Sequence, residues 1–462
     1  MKLLSYRTAS AGILLIVGLI FGTQYACAEP VPAGESGIGG ERQPQMQEIN
    51  DALARFKDRD LDGTLKLLEA AVKKNPDLPP SYVLLAQIYG QANMAQGVLQ
   101  ALETGIQKYP DDPEAYVILA QLALHDRRVT EAELLLSKAS ALLPKLDKNP
   151  KRKEILAPAI VSGLAQVYQA REDWATAKKY LDQWLKLDPK NAQALQQLAS
   201  VLFKQKDVDG ALAKLKEAKA IDAKVLTPEA ILALYYQQSG ETDKEKKENK
   251  DNAKKWMATA LTKAPDDLDT LLYAAQLSLA NGQLEDAQNR AVSALRINPS
   301  SLDAKKIRGV VALFQKDYRG AESNFESAHL KSPDDFAAKN NLAIALVEQK
   351  DESKKRSALG YAADNMQQYQ KSANSVEAAS TYGWVLYKTN KLDDADKFLQ
   401  GAIQASGGNP PQDTAYYAAR VASEKNRKEE AKTLLKYALK NPTPFTMRQE
   451  AAALLEELNK EQ

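Results

Sequence analysis

Cysteine is almost absent from this 462-residue chain; Cys27 is the only one. Histidine occurs twice, at His125 and His329, far apart and without Cys or paired carboxylates at ligand spacing. Neither a Cys/His metal site nor a disulfide framework can be built from that inventory. No glycine-rich phosphate loop opens a strand–helix unit, since Gly39 and Gly40 lie in an irregular polar stretch. A G-x-S-x-G nucleophile elbow is missing as well. No catalytic set, cofactor or metal is therefore expected. The formal charge is only +2, too balanced to suggest nucleic acid or an anionic membrane surface as partner. Glycine and proline, at 22 and 20 residues, are too few for a disordered chain, and a 44% hydrophobic content can supply a continuous core.

The one long apolar run is Ala11 to Gly22, short of the ~20 residues that span a bilayer comfortably. Lys2 and Arg7 precede it, and Ala26-Cys27-Ala28 follows as an A-x-A cleavage site. Residues 1–28 are expected to be a secretory signal, cleaved after Ala28. Cleavage there removes Cys27 and two positive charges, leaving a thiol-free mature chain of net charge near zero. Gln24 stands where a lipoprotein box usually has Leu, so lipidation of Cys27 fits poorly. A membrane would be met only through an uncleaved or lipidated N-terminus. The expected location is the periplasm or the envelope. Residues 29–44 are rich in Gly, Pro and Glu and are expected to form a flexible linker.

From residue 45 a period takes over. Pro76, Pro110 and Pro144 stand 34 residues apart. The first interval carries Tyr82, Leu85, Ala86, Tyr89, Leu102 and Gly105; the second carries Tyr116, Leu119, Ala120, Ala123, Ala132, Leu136 and Ala139. The period recurs at Pro265, Pro299 and Pro333. This pattern resembles the tetratricopeptide repeat family, in which each unit is a helix–turn–helix pair that is stable only when stacked. The resemblance covers residues 45–443 and implies an all-α fold: a right-handed superhelical solenoid of about eleven helix pairs, with 444–462 as a C-terminal capping helix. Three places depart from the period. Basic residues near 145–153 and charged residues near 241–251 read as insertions, either hinges or docking loops. Residues 347–376 read as an irregular unit with a long or irregular second helix.

The resemblance also implies a concave inner face, lined by the first helix of each pair. Its ninth position is Gln87, Gln121, Gln166 and Gln276, with Ser200 and Leu234 interrupting. Such amides could hydrogen-bond the backbone of an extended peptide, although glutamine is also an ordinary soluble helix residue. The Lys/Asn set by which chaperone-binding members hold a C-terminal carboxylate is not repeated here; Lys339-Asn340-Asn341 is an isolated echo. Trp384 falls at an inner-face position, with Tyr387 one turn on and Tyr416 and Tyr417 in the next pair. An exposed aromatic cluster there could anchor a partner or a glycan, or the rings could pack against 351–375. The function expected is a non-catalytic scaffold that binds a peptide or helical protein partner. The alternative is an accessory subunit of envelope polysaccharide assembly or secretion machinery, acting through Trp384 and its neighbours.

Overall fold

The structure, a computed structural model, describes residues 47–147, 149–240 and 242–460. The signal segment, Cys27 and the linker lie outside the described residues. Among the described residues there are 23 α-helices and no strands. They form eleven consecutive pairs and a last helix, in two compact units that divide after residue 228.

The first unit holds five pairs: α1 (Gln47–Lys57) and α2 (Leu61–Lys74), α3 (Ser81–Gln91) and α4 (Ala95–Lys108), α5 (Glu114–His125) and α6 (Val129–Leu142), α7 (Pro150–Ala170) and α8 (Trp174–Leu187), α9 (Ala192–Lys204) and α10 (Val208–Ile221). The second holds α11 (Pro228–Gln237) and α12 (Asp243–Lys263), α13 (Leu268–Ala280) and α14 (Leu284–Ile297), α15 (Leu302–Phe314) and α16 (Tyr318–Lys331), α17 (Phe336–Val347) and α18 (Glu352–Tyr369), α19 (Ser375–Lys388) and α20 (Leu392–Ala405), α21 (Gln412–Glu424) and α22 (Lys428–Lys440), then α23 (Arg448–Lys460).

The repeated small residues do what close helix packing requires. Ala120 and Ala132, Ala165 and Ala177, and Ala199 and Ala211 are wholly shut from solvent, so paired helices approach without a bulky side chain between them. Leu136, Leu181, Leu215 and Phe325 are equally buried and fill the space around these contacts. Gly309 shows how tight the approach becomes: a Cβ placed there would lie 2.6 Å from Cζ of Phe325.

Most pairs turn through a common device. In ten of the eleven, one residue of the link has positive φ: Arg59, Asn93, Arg127, Glu172, Lys206, Gly240, Gly282, Lys316, Asn390 and Asn426. In four of these links the next residue is an aspartate that caps the second helix. Asp60, Asp173, Asp207 and Asp317 each accept from the amide three residues on, at 2.9–3.1 Å. These bonds satisfy donors that the helix cannot pair internally and place negative charge at the positive end of its dipole.

Both insertions run into long helices, with residues 150–153 and 243–251 helical. After a short 3-10 turn (Leu143–Leu146), the basic stretch begins α7, which runs 21 residues. Its first turn reaches backward: Asn149 donates to the Pro76 carbonyl, Lys151 pairs with Asp77, and the buried Arg152 bridges Asp112 and Glu114. The charged stretch starts α12, also 21 residues, behind a Thr242/Glu245 capping box. Residues 352–369 form a continuous 18-residue helix, with Ala358, Ala362 and Asn365 buried. Its length, not a loss of helix, is what breaks the period.

Candidate functional site

In the first unit the glutamines come from α3, α5 and α7, the first helices of three successive pairs. Gln121 is exposed, and Gln87 and Gln166 are half-buried. Adjacent first helices lie within hydrogen-bonding reach, since Gln169 Nε2 donates to Gln197 Oε1 across to α9 at 3.1 Å. Gln276, in the second unit, is different. It is 3% exposed and its buried Nε2 lacks a hydrogen-bond partner, because Leu271 to Ala280 is buried along almost the whole of α13.

The aromatic group of the second unit is interior, which corrects the expectation of an exposed cluster. Trp384 is 3% exposed, Tyr416 5% and Tyr417 2%. The Trp384 ring stacks on Tyr417 at 4.4 Å and on Tyr387 at 5.1 Å. Its Nε1 donates to Glu348 Oε1 at 2.7 Å, and Lys388 pairs with the other oxygen of that carboxylate at 2.8 Å. Burial pushes the Tyr416 and Tyr417 phenols up, so both stay neutral at any ordinary pH. Tyr387 is half-buried and tied to Arg420 and Glu424. The first-helix spacing placed Trp384 on the inner face, but that face is covered here.

What covers the ring is Tyr417 and Tyr416 of the next pair, and the chain's own C-terminal segment packs back onto the same unit. Pro444 Cγ lies 3.2 Å from the position a Cβ would take on Gly282, and Glu450 pairs with Lys316, 134 residues earlier. Phe445 and Met447 are buried in the same core as Trp384. The final helix therefore does more than close the end of the stack. It packs on α22 and also returns to the α15–α16 turn.

Beneath Pro444 to Thr446 lies a cavity of about 80 Å³. Its walls come from α15, α17, α19, α21 and the returning segment. Glu377 and Asp413, in the first turns of α19 and α21, both face it. Burial raises the Glu377 carboxyl to about 8, with the Asp413 charge adding to the effect. Burial raises Asp413 to about 6, against the opposing hydrogen bond from Thr446 Oγ1 at 3.0 Å. Among the described residues neither acid has an ion-pair partner. Sequence reasoning missed this site. The acids are separated by one repeat, and only the stacking of first helices brings them together.

His329, on α16, packs edge-on against Tyr361 at 5.2 Å, and burial lowers its pKa. Among the described residues no group of three or more His, Cys, Asp or Glu side chains could hold a metal ion, and no helix is long and apolar enough to cross a membrane.

Comparison with known proteins gives a family match within the first unit. The tetratricopeptide repeat model fits residues 99–146 and 163–225. No curated protein matches. Among solved structures, yeast Tom70 is 14% identical, with 90% of this chain and 95% of that chain covered and a TM-score of 0.37. A tetratricopeptide repeat protein from Parabacteroides merdae is 15% identical over 58% of this chain and 98% of its own, with a TM-score of 0.43. YrrB, described as a tetratricopeptide repeat protein with an unusual peptide-binding site, is 21% identical over 45% of this chain and 98% of its own, with a TM-score of 0.28.

Proposed function

Because the chain belongs to the tetratricopeptide repeat family, we propose that it is a non-catalytic scaffold of the cell envelope that binds a protein partner as an extended peptide or helix. The first-helix face of the first unit is the binding surface. The observation that carries this reading is the contrast between the two units. The first unit leaves Gln121 exposed and Gln87 and Gln166 half-open on successive first helices. In the second unit the corresponding Gln276 is buried. A preformed array of neutral donors and acceptors binds a peptide backbone with little ordering cost of its own. Export rests on the N-terminal 28 residues, with their basic start, apolar core and A-x-A site.

The accessory role in polysaccharide assembly or secretion through an aromatic anchor draws no support from Trp384, whose ring is occupied by Tyr417, Tyr387 and Glu348. Cross-linked capture from envelope extract tests the scaffold reading. The mature chain is used beside a variant carrying Gln87→Ala, Gln121→Ala and Gln166→Ala. One protein captured by the parent and lost from a folded variant supports it. Equal capture by both moves the site elsewhere, and capture of glycan alone overturns the reading.

A further inference from the structure

The cavity beneath Pro444 to Thr446 gathers buried polar atoms that its own residues do not pair. Two carboxyl groups line one small space, and among the described residues neither has an ion-pair partner. Both sit in first turns of helices, where the dipole favours negative charge, and that alone would account for acids at those positions. It does not account for Asn340. This side chain is 1% exposed, lines the same cavity from α17, and its buried Oδ1 has no hydrogen-bond partner. The buried Oε1 of Glu377 is likewise unpartnered. A buried acceptor left unpaired keeps its full desolvation penalty, so unfilled acceptors from separate repeats, converging on one space, point to a donor that arrives from outside.

The remaining wall selects the donor. Leu313, Ile344, Tyr417 and Phe445 make much of the lining apolar or aromatic. A strongly hydrated metal ion is poorly served by such a wall, whereas an alkyl stem is well served. Aromatic faces also attract an ammonium group. The space, about 80 Å³, compares with roughly 30 Å³ per molecule in liquid water. It suits a side chain or a small molecule, not a length of polypeptide. We propose that this cavity binds a primary ammonium group on a short alkyl stem, with Glu377 and Asp413 balancing its charge and Asn340 Oδ1 accepting one of its hydrogens. The site is separate from the glutamine face of the first unit and does not depend on it. The ammonium comes either from a free alkylamine or from the lysine side chain of a bound protein; the chemistry is shared.

Isothermal titration of the full chain at about pH 9, where Glu377, raised to about 8, is ionised and an alkylammonium is still charged, separates the outcomes. The probes are n-butylamine, neutral n-butanol, Nα-acetyl-lysine N-methylamide, its Nε-acetylated form, and calcium chloride. Glu377→Gln, Asp413→Asn and Asn340→Ala are compared, each with its melting curve to show that it folds. The two acid substitutions keep the shape of the side chain and remove only the charge. The expected result is saturable binding of one or both cationic amines, none of butanol or of the acetylated lysine, and a loss of about tenfold or more in Glu377→Gln. Binding of butylamine without the lysine derivative assigns the site to a free amine; binding of the lysine derivative assigns it to a partner's side chain. The proposal is overturned if no amine binds at millimolar concentration, if amine binding survives all three substitutions in folded protein, or if calcium binds and amines do not.

Discussion

Trp384 Nε1 donates to Glu348 Oε1 at 2.7 Å, from the first helix of one pair to the end of the first helix of the pair before it. With Tyr417 stacked on the ring at 4.4 Å, this indole is a bolt between three successive pairs. Trp384→Ala is expected to cost about 3–5 kcal/mol of stability, the usual range for emptying a buried aromatic site. Chemical denaturation reads it directly. A variant as stable as the parent would mean that the ring is not in the core.

Gly309 and Gly360 make a paired test of packing against propensity. Both lie inside helices, where Gly→Ala ordinarily gains about 0.5–1 kcal/mol. At Gly360 nothing lies within 4 Å of the new methyl, so Gly360→Ala should raise the melting temperature. At Gly309 the methyl meets the Phe325 ring at 2.6 Å. Overpacking of about 1–3 kcal/mol then outweighs the propensity gain, and Gly309→Ala should lower the melting temperature.

Arg152 is the charged counterpart of these apolar contacts. Its guanidinium sits 2.8 Å from Asp112 and 2.7 Å from Glu114, with the arginine 8% exposed. Arg152→Leu leaves two partly desolvated carboxylates facing each other and should cost about 3–5 kcal/mol. Adding Asp112→Asn and Glu114→Gln to that variant should recover part of the loss. Failure to recover any would mean that the arginine acts through its stem packing instead.

Glu377 and Asp413 give the fold a pH dependence of definite sign. Both carboxyls hold their protons more tightly folded than unfolded, at about 8 and about 6 against ordinary values of 4.5 and 3.8. The unfolded chain ionises first, so their contribution to stability falls as pH rises from about 4 to about 8. Glu377→Gln removes the larger part. It should leave stability unchanged near pH 4 and raise it near pH 8, by about 1.4 kcal/mol for each tenfold difference in ionisation. Urea denaturation at the two pH values, in amine-free buffer, reads the difference; equal effects at both would contradict the burial of that carboxyl.

The repeat was legible because its signal is redundant. Alanine recurs at positions where only a small residue fits, and proline recurs where helices end, so a lost signal such as Ala223 in place of proline did not hide the unit. The turn device was not legible. Arg59, Glu172, Lys206 and Lys316 carry positive φ although none is glycine or asparagine, because the following cap and the packing of both helices impose the conformation. The insertions were legible as breaks in spacing but not as helix, since charge and a proline within the stretch suit a loop as well as a first helical turn. Trp384 shows the sharper limit. Position within a repeat placed it on the inner face, and its burial depends on Glu348 and Tyr417 in the neighbouring pairs. The Glu377–Asp413 site fails for the same reason, since no local window contains both.

Site-specific photo-cross-linking tests the central claim most directly. A photoreactive residue is placed in turn at Gln87, Gln121 and Gln166, and, as outward controls, at the exposed positions Glu103 and Leu134 on second helices. Irradiation in cells that produce the protein should trap one and the same polypeptide from the three glutamine positions and from neither control. Trapping from Glu103 and Leu134 alone, with none from the glutamines, would contradict a scaffold that works through its first-helix face.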